Sequence, residues 1–147
     1  MKKFSFKLDS LLNVRKKREE LVIQELAEAQ MAEQRIHGQI NDTRNTIALM
    51  IEESKSYLKS SINVESLLLS RNYIEFLKRK LAELEARLEE AKQKTLKIKE
   101  KLSEAVKERK IIETLKEKQF AQYKKEYNKQ DNAQMDEIAN NKQPDKD

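Results

Sequence analysis

The most regular feature of the first half of the chain is a series of apolar residues spaced at alternating steps of four and three. The series fills ten of fifteen core positions, the heptad pattern of a helix that buries one narrow stripe against another helix. The apolar members are Leu8, Leu12, Val22, Leu26, Ala29, Ile36, Ile40, Ile47, Met50 and Tyr57. The five polar exceptions are Arg15, Glu19, Glu33, Thr43 and Ser54.

A second heptad series occupies the other half and fills twelve of eighteen core positions. Its members are Leu67, Ile74, Leu77, Leu81, Leu84, Leu88, Ala91, Ile98, Leu102, Ala105, Ile112 and Tyr123. The heptad frame is lost over 59–66, where Asn63 is suited to cap a following helix that has Glu65 in its first turn. We therefore expect one tight turn near residue 61.

These patterns predict an all-α fold, a long antiparallel two-helix coiled coil or α-hairpin rod. Residues 1–130 form the coiled coil, and 131–147 form a polar tail expected to be disordered, since periodicity fades there. With a turn near 61, the numbers of facing residues sum to roughly 122. Arg15 then faces Arg109 in a polar layer, with Glu19 one step away. Gly38, the only glycine, lies inside the first helix.

Composition agrees with helix almost throughout, because 39% of the residues are charged and good helix formers dominate. The net charge of +5 is unevenly distributed. Residues 1–18 and 92–129 are strongly basic, whereas 19–91 and the tail are acidic. Folding at residue 61 brings the two basic segments together at one end, which we call the terminal pole.

Aromatic residues gather at the same pole. Five of the eight lie there and three lie near the turn: Phe4, Phe6, Phe120, Tyr123 and Tyr127, then Tyr57, Tyr73 and Phe76. They could hold the hairpin shut, or they could contact a partner, because exposed aromatics are typical of interfaces. Both interpretations stay open at this point.

Catalytic and metal-binding chemistry is not indicated. His37 is the one histidine and there is no cysteine, so a metal site lacks its usual ligands. A phosphate-binding glycine loop cannot be built around Gly38 alone. Carboxylates on a two-helix rod lack the concave pocket that perturbs a pKa for acid–base catalysis. We expect no cofactor and no enzymatic activity.

No apolar run is long enough to cross a bilayer, and the N-terminal residues lack the apolar core of a secretion signal. The sequence is therefore interpreted as cytoplasmic. The basic segments could contact nucleic acid through phosphates, but interleaved glutamates weaken their field, so an acidic protein surface is a better-supported partner. Composition alone favours a third interpretation, a charged face that is merely solvated.

The two ends of the chain resemble the flagellar export protein FliJ family. The resemblance begins with an aromatic, a leucine pair and an arginine: Phe4, Phe6, Leu8, Leu11, Leu12 and Arg15. It continues through Leu26, Ala27, Ala29 and Gln30, and resumes at Lys107, Glu108, Arg109, Lys110, Glu113, Leu115 and Glu117. Asp136 and Glu137 match the closing acidic pair of the family.

The resemblance implies a soluble component of the flagellar type III export apparatus that is similar to the γ-subunit coiled coil of rotary ATPases. It implies three partners: the hexameric export ATPase, the cytoplasmic domain of the export gate membrane protein, and flagellar substrate chaperones. The protein would act as a monomeric stalk in the ATPase ring and associate peripherally with the membrane-bound apparatus, without inserting into the membrane.

Residue roles carried over from the family fall at both ends of the hairpin. The residues expected to contact the ATPase ring are Phe4, Phe6, Leu8, Leu12, Arg15, Arg109 and Lys110. The residues expected to contact the export gate are Tyr73 and Phe76. Two other hypotheses remain: a structural coiled coil that forms parallel homodimers, and a basic coiled coil that binds nucleic acid.

Overall fold

The computed structural model describes residues 2–59 and 63–142. They form two long helices, α1 (Asp9–Lys59) and α2 (Val64–Asn141), and no strand lies within these described ranges. The all-α class predicted from the heptads is confirmed. The predicted tight turn falls on residues 60–62, which lie outside the described residues.

Each helix begins at residues that supply hydrogen-bond acceptors or a negative charge for its N-terminal amides. The Leu8 carbonyl accepts a hydrogen bond from the Leu12 amide at 2.9 Å, and Asp9 places a carboxylate in the first turn of α1. At the start of α2, Asn63 Oδ1 accepts a hydrogen bond from the Glu65 amide at 3.2 Å. The predicted Asn63 cap is confirmed.

The chain divides into two compact units that share both helices. The terminal unit comprises Met1–Leu21 with Ser103–Asp147, and the mid-chain unit comprises Val22–Leu102. Within each unit the helices pack antiparallel, since residues farther along α1 pair with residues nearer the start of α2. Asp9 pairs with Lys116 in the terminal unit, and in the mid-chain unit Glu25 pairs with Lys101 and Arg44 with Glu85.

Burial follows the predicted heptad frame along both helices. Every core position of α1 from Leu12 to Tyr57 is buried or half-buried, as are those of α2 from Leu67 to Lys116 and Tyr123. Leu8 departs from the expectation, with 37% of its surface exposed. The reason is that α1 begins only at Asp9, so helical spacing does not direct Leu8 into the seam.

Several of the polar core positions are satisfied locally. Thr43 donates to the Gln39 carbonyl at 2.7 Å, and Thr95 donates to the Ala91 carbonyl at 3.0 Å. Such bonds satisfy a buried hydroxyl without a partner on the other helix.

A hydroxyl contact between two core positions also links the helices of the mid-chain unit. The Ser54 and Ser70 hydroxyls lie 2.8 Å apart. Since Ser54 also donates to the Met50 carbonyl at 2.9 Å, Ser70 is the donor to Ser54. This hydroxyl pair thus occupies two core positions where the heptad pattern would otherwise place apolar residues.

Helix α2 continues well beyond the last residue that packs against α1. All side chains from Lys124 to Lys142 are exposed, and helix is present through Asn141. This includes most of the segment expected to be a disordered tail. The boundary at residue 130 stays a prediction, and residues 143–147 lie outside the described part.

Candidate interaction surface

An apolar cluster fixes the first residues of the chain against α2 in the terminal unit. Phe6, Leu12 and Ile112 are buried together, and Phe4 and Leu11 pack on them. The Lys116 ammonium lies 6.0 Å from the centre of the Phe6 ring, within the range of a cation–π contact. The chain before α1 is thereby held along the helix pair.

A row of aromatic rings continues from this cluster along α2. The ring centre of Phe4 lies 5.2 Å from that of Phe120 in an edge-to-face contact and 5.4 Å from that of Tyr123. Tyr123 in turn lies 6.3 Å from Tyr127. Phe6 is 5% exposed, whereas Phe120 and Tyr127 expose nearly half of their surface. Phe6 therefore closes the hairpin, and the outer rings remain accessible.

Ion pairs join the two helices on both sides of this cluster. Arg15 lies 2.8 Å from Glu108, and Lys116 lies 2.7 Å from Asp9. Arg18 also approaches Glu108, at 4.0 Å. These pairs are partly exposed, so they contribute more to the specificity of pairing than to stability.

Arg15 and Arg109, predicted to face each other, each pair with a carboxylate of the opposite helix. Arg109 contacts the carboxylates of Glu19 and Glu113, while Arg15 pairs with Glu108. These opposite-charge contacts compensate two arginines that would otherwise repel each other. The hydrogen bond from Arg109 to Glu19, aided by the bond to Glu113, raises the pKa of the guanidinium above its ordinary value.

The structure brings all seven residues predicted to contact an ATPase ring into the terminal unit, but it gives them different surroundings. Phe6 and Leu12 are buried, at 5% and 2% exposure, and can support a surface but cannot form one. Phe4, Arg15 and Arg109 are half-buried, and Leu8 and Lys110 are exposed. Arg15 and Arg109 are engaged within the hairpin, whereas Lys110 has no ion-pair partner among the described residues.

Sequence reasoning missed a shallow groove beside the aromatic row. Phe4 and Phe120 form its apolar floor, and Lys16, Lys116 and Glu117 are among the polar residues at its rim. The aromatic count pointed to Phe4 and Phe120, but the lysines could be placed beside them only once the register was known.

The two residues predicted to contact an export gate lie together on α2 in the mid-chain unit. The rings of Tyr73 and Phe76 stack with centres 6.3 Å apart, and the side chains are 44% and 52% exposed. Two exposed, mutually supported aromatic rings form a surface that can bury substantial area against a partner.

The described residues contain no cluster of histidine, cysteine, aspartate or glutamate that could hold a metal ion. Over the same residues, neither helix has an apolar stretch of the length needed to span a membrane. The notable features of the surface are exposed aromatic rings and charges on a coiled coil, an arrangement typical of proteins that act by contacting other proteins.

The fold and this surface define the class of helical coiled-coil proteins with exposed aromatic and charged side chains. The chain matches the family described as Flagellar FliJ protein over residues 4–143, and it belongs to that family. It is also similar to a solved structure of a putative YscO homolog, CT670 from Chlamydia trachomatis. That likeness has 22% sequence identity, a TM-score of 0.52 and 94% coverage of each chain, and it supports the fold. Among curated proteins, none matches this chain.

Proposed function

We propose that this chain is the stalk of the hexameric flagellar export ATPase, where it promotes ring assembly and ATP hydrolysis without being an enzyme itself. The observation that carries this proposal is the family match over residues 4–143, which covers both the ordered terminal unit and the extension of α2. A stalk needs a stiff element whose two ends differ in the side chains that they expose. In the terminal unit, Phe6 is buried between the N-terminal residues and α2, and lysines such as Lys110 are exposed.

The terminal unit supplies three kinds of contact for a ring. Phe4 and Phe120 offer partly exposed rings, Leu8 offers an apolar side chain, and Lys110 offers an exposed positive charge. Arg15 and Arg109 act mainly by keeping the helices in register through Glu108, Glu19 and Glu113. Phe6 and Leu12 keep the supporting core closed.

Reversing the charge of Lys110 tests ring docking without disturbing the hairpin. The Lys110→Glu variant should stimulate ATP hydrolysis by the purified ATPase less than the wild-type protein does, with unchanged helicity by circular dichroism. The matched control is Lys92→Glu, which reverses an exposed lysine on the same helix in the mid-chain unit. Equal stimulation by wild type and Lys110→Glu would contradict docking through this surface.

Reversing Arg15, Arg109 and Lys110 together to glutamate should reduce stimulation further, and the effect should grow weaker in high salt because exposed charges are screened beyond about 8 Å at physiological ionic strength. Arg15 and Arg109 also hold the hairpin, so the melting temperature is measured in parallel. Loss of stimulation with an unchanged melting temperature supports a direct role for the charges.

We infer a second contact, with the cytoplasmic domain of the export gate membrane protein, at Tyr73 and Phe76. Replacing both by alanine should reduce binding of this domain in a pull-down while sparing ATPase stimulation. Leu96→Ala is the control, because Leu96 is 52% exposed, as Phe76 is, and lies on the same helix. Undiminished gate binding by the double variant would exclude this site.

The same proposal includes escort of emptied substrate chaperones and a cytoplasmic location with peripheral association to the export apparatus. The alternatives make different predictions. Pairing of both heptad stripes within one chain weighs against a parallel homodimer, in which each stripe would need a second copy. Retention on DNA that falls steeply with salt would favour the nucleic-acid hypothesis instead.

A further inference from the structure

Residues 124–141 continue α2 as a helix that has no packing partner among the described residues. Tyr123 is the last half-buried residue of α2, and every side chain over 124–142 is exposed. Yet this extension is not uniformly polar, because Tyr127, Met135 and Ile138 expose 47%, 65% and 54% of their surface. An isolated helix gains little from its own backbone, so exposed apolar residues on it favour association.

These apolar residues lie on one face together with two charges. Steps of four, three, four and four residues keep side chains on a single face of a helix. From Phe120 these steps give phenylalanine, lysine, tyrosine, aspartate and methionine: Phe120, Lys124, Tyr127, Asp131 and Met135. We call this face the extension stripe. All five residues are exposed.

The order of residues in the extension stripe is symmetric about Tyr127. An apolar residue stands at each end, and a positive and a negative charge stand on either side of the tyrosine. When two copies lie antiparallel, Phe120 of one meets Met135 of the other, Lys124 meets Asp131, and the two Tyr127 rings meet at the centre. A parallel arrangement would oppose lysine to lysine and aspartate to aspartate.

We propose that two copies of this chain associate reversibly and antiparallel through their extension stripes. The hairpin satisfies its own heptads within one chain, so the stripe is available for a further contact. Phe4 covers part of Phe120 at one end of the stripe, but Phe120 keeps 48% of its surface exposed, and the Phe4 ring contacts no aromatic ring beyond Tyr123. The inference does not rest on the proposed function.

The occupant is a second copy because both the charges and the apolar residues are self-complementary. The antiparallel register that pairs Lys124 with Asp131 also places Ile138 of the second copy opposite Glu117. Glu117 borders the groove whose floor is Phe4 and Phe120. An apolar side chain would thus reach the apolar floor of that groove. A second copy forms these contacts twice, by symmetry.

Charge reversal tests this contact in the full-length protein by sedimentation equilibrium. The average mass of the wild type should rise from the 17.4 kDa of one chain towards twice that value as concentration increases to about 1 mM. Lys124→Asp and Asp131→Lys should each weaken association by about tenfold, since each change opposes like charges at two symmetric positions.

An equal mixture of the two variants should recover association, because each lysine then meets an aspartate on the other chain. Both positions are exposed, so the helicity of the variants should not change. A wild type that keeps the mass of one chain throughout would overturn the proposal. So would variants that associate as the wild type does, or a mixture no stronger than its components.

Disulfide trapping tests the antiparallel direction, since the native chain has no cysteine. Mixing Lys124→Cys with Asp131→Cys should give a covalent dimer and leave one Lys124–Asp131 pair intact. Each variant alone should not crosslink with itself, because identical positions lie about 10 Å apart along the axis in this register, beyond the reach of a disulfide.

The matched control mixes Lys125→Cys with Asn132→Cys, which lie one residue farther along and point about 100° away from the stripe. This mixture should not crosslink. Self-crosslinking of Lys124→Cys would show parallel pairing and overturn the proposed geometry. Equal crosslinking of the control mixture would show nonspecific collision and overturn it as well.

Discussion

The terminal unit and the mid-chain unit hold the same two helices together with different chemistry. In the terminal unit, an apolar cluster around Phe6 and Leu12 is flanked by ion pairs that include Arg15–Glu108 and Lys116–Asp9. In the mid-chain unit, Ser54 hydrogen-bonds Ser70 across the seam, and the pairs Glu25–Lys101 and Arg44–Glu85 lie on its exposed flanks. The Arg109–Glu19 pair of the terminal unit is better shielded from water than these two, so it favours one register more strongly.

The difference shows that the same heptad repeat can fix the register of two helices strictly in one unit and less strictly in another. Opposite charges at fixed positions penalise a slip of one heptad in the terminal unit, because they would then face the wrong partners. Thr43 and Thr95 bond within their own helices and therefore place no such demand on register. We therefore expect the terminal unit to hold its exposed side chains in one register, and the mid-chain unit to tolerate small changes of register.

The largest effect should come from a carboxylate placed in the mid-chain seam. Leu84 is 4% exposed and belongs to the same buried stripe as Leu77. The Leu84→Asp variant should lose about 3–5 kcal/mol of unfolding free energy, since a charge enters the seam without a partner. Chemical denaturation followed by circular dichroism measures the loss.

The control for that experiment is Leu69→Asp on the same helix. Leu69 is 69% exposed, so the same substitution there meets solvent and should change the unfolding free energy little. If both variants unfolded alike, the heptad frame of α2 would be wrong.

Much of this architecture could be predicted because heptad spacing depends only on helix geometry. The same rule located the seam from Leu12 to Tyr57, and the capping preference of asparagine placed Asn63 at the start of α2. It failed at Leu8, where the helix had not yet begun. A heptad pattern in the sequence does not show at which residue the helix begins.

The candidate surface could be predicted less well, because it depends on register and not on period. Summing residue numbers put Arg109 opposite Arg15 with Glu19 one step away, but it did not show that Arg109 bonds to Glu19 and Arg15 pairs with Glu108. A shift of a few residues leaves apolar contacts nearly unchanged but exchanges charged partners. To predict that Phe120 is exposed and Phe6 is buried, one would also need to know the path of the residues before α1.

A second substitution examines the apolar cluster of the terminal unit. Leu12 is 2% exposed, and the Leu12→Ala variant should lose about 2–4 kcal/mol, through lost burial and a residual cavity. Leu21→Ala on the same helix is the control, because Leu21 is 55% exposed. Amide hydrogen exchange should show the loss of protection concentrated in residues 103–116. Uniform loss along both helices would mean that the units do not differ in the way described.

The ionic layer of the terminal unit should contribute less than its apolar cluster. The Glu19→Ala variant leaves Arg109 with Glu113 alone and should lower the unfolding free energy less than Leu12→Ala does, since the pair is only partly shielded from water. A double-mutant cycle with Arg109→Ala separates the coupling from the separate losses. A coupling energy near zero would remove the proposed basis for the specific register of this unit.

The smallest effect should be a gain in stability at Gly38 of the mid-chain unit. Gly38 lies inside α1, and a Cβ built there meets nothing within 4 Å. The Gly38→Ala variant should therefore gain about 1 kcal/mol, because alanine restricts the unfolded chain and has the better helix propensity. Ala27→Gly, at an exposed position of the same helix, should lose a similar amount.

If Gly38→Ala raised the melting temperature but reduced export in cells, flexibility at this point of the mid-chain unit would be required for function. An unchanged or lowered melting temperature would instead show that the helix is bent or frayed at residue 38, contrary to the continuous α1 described above.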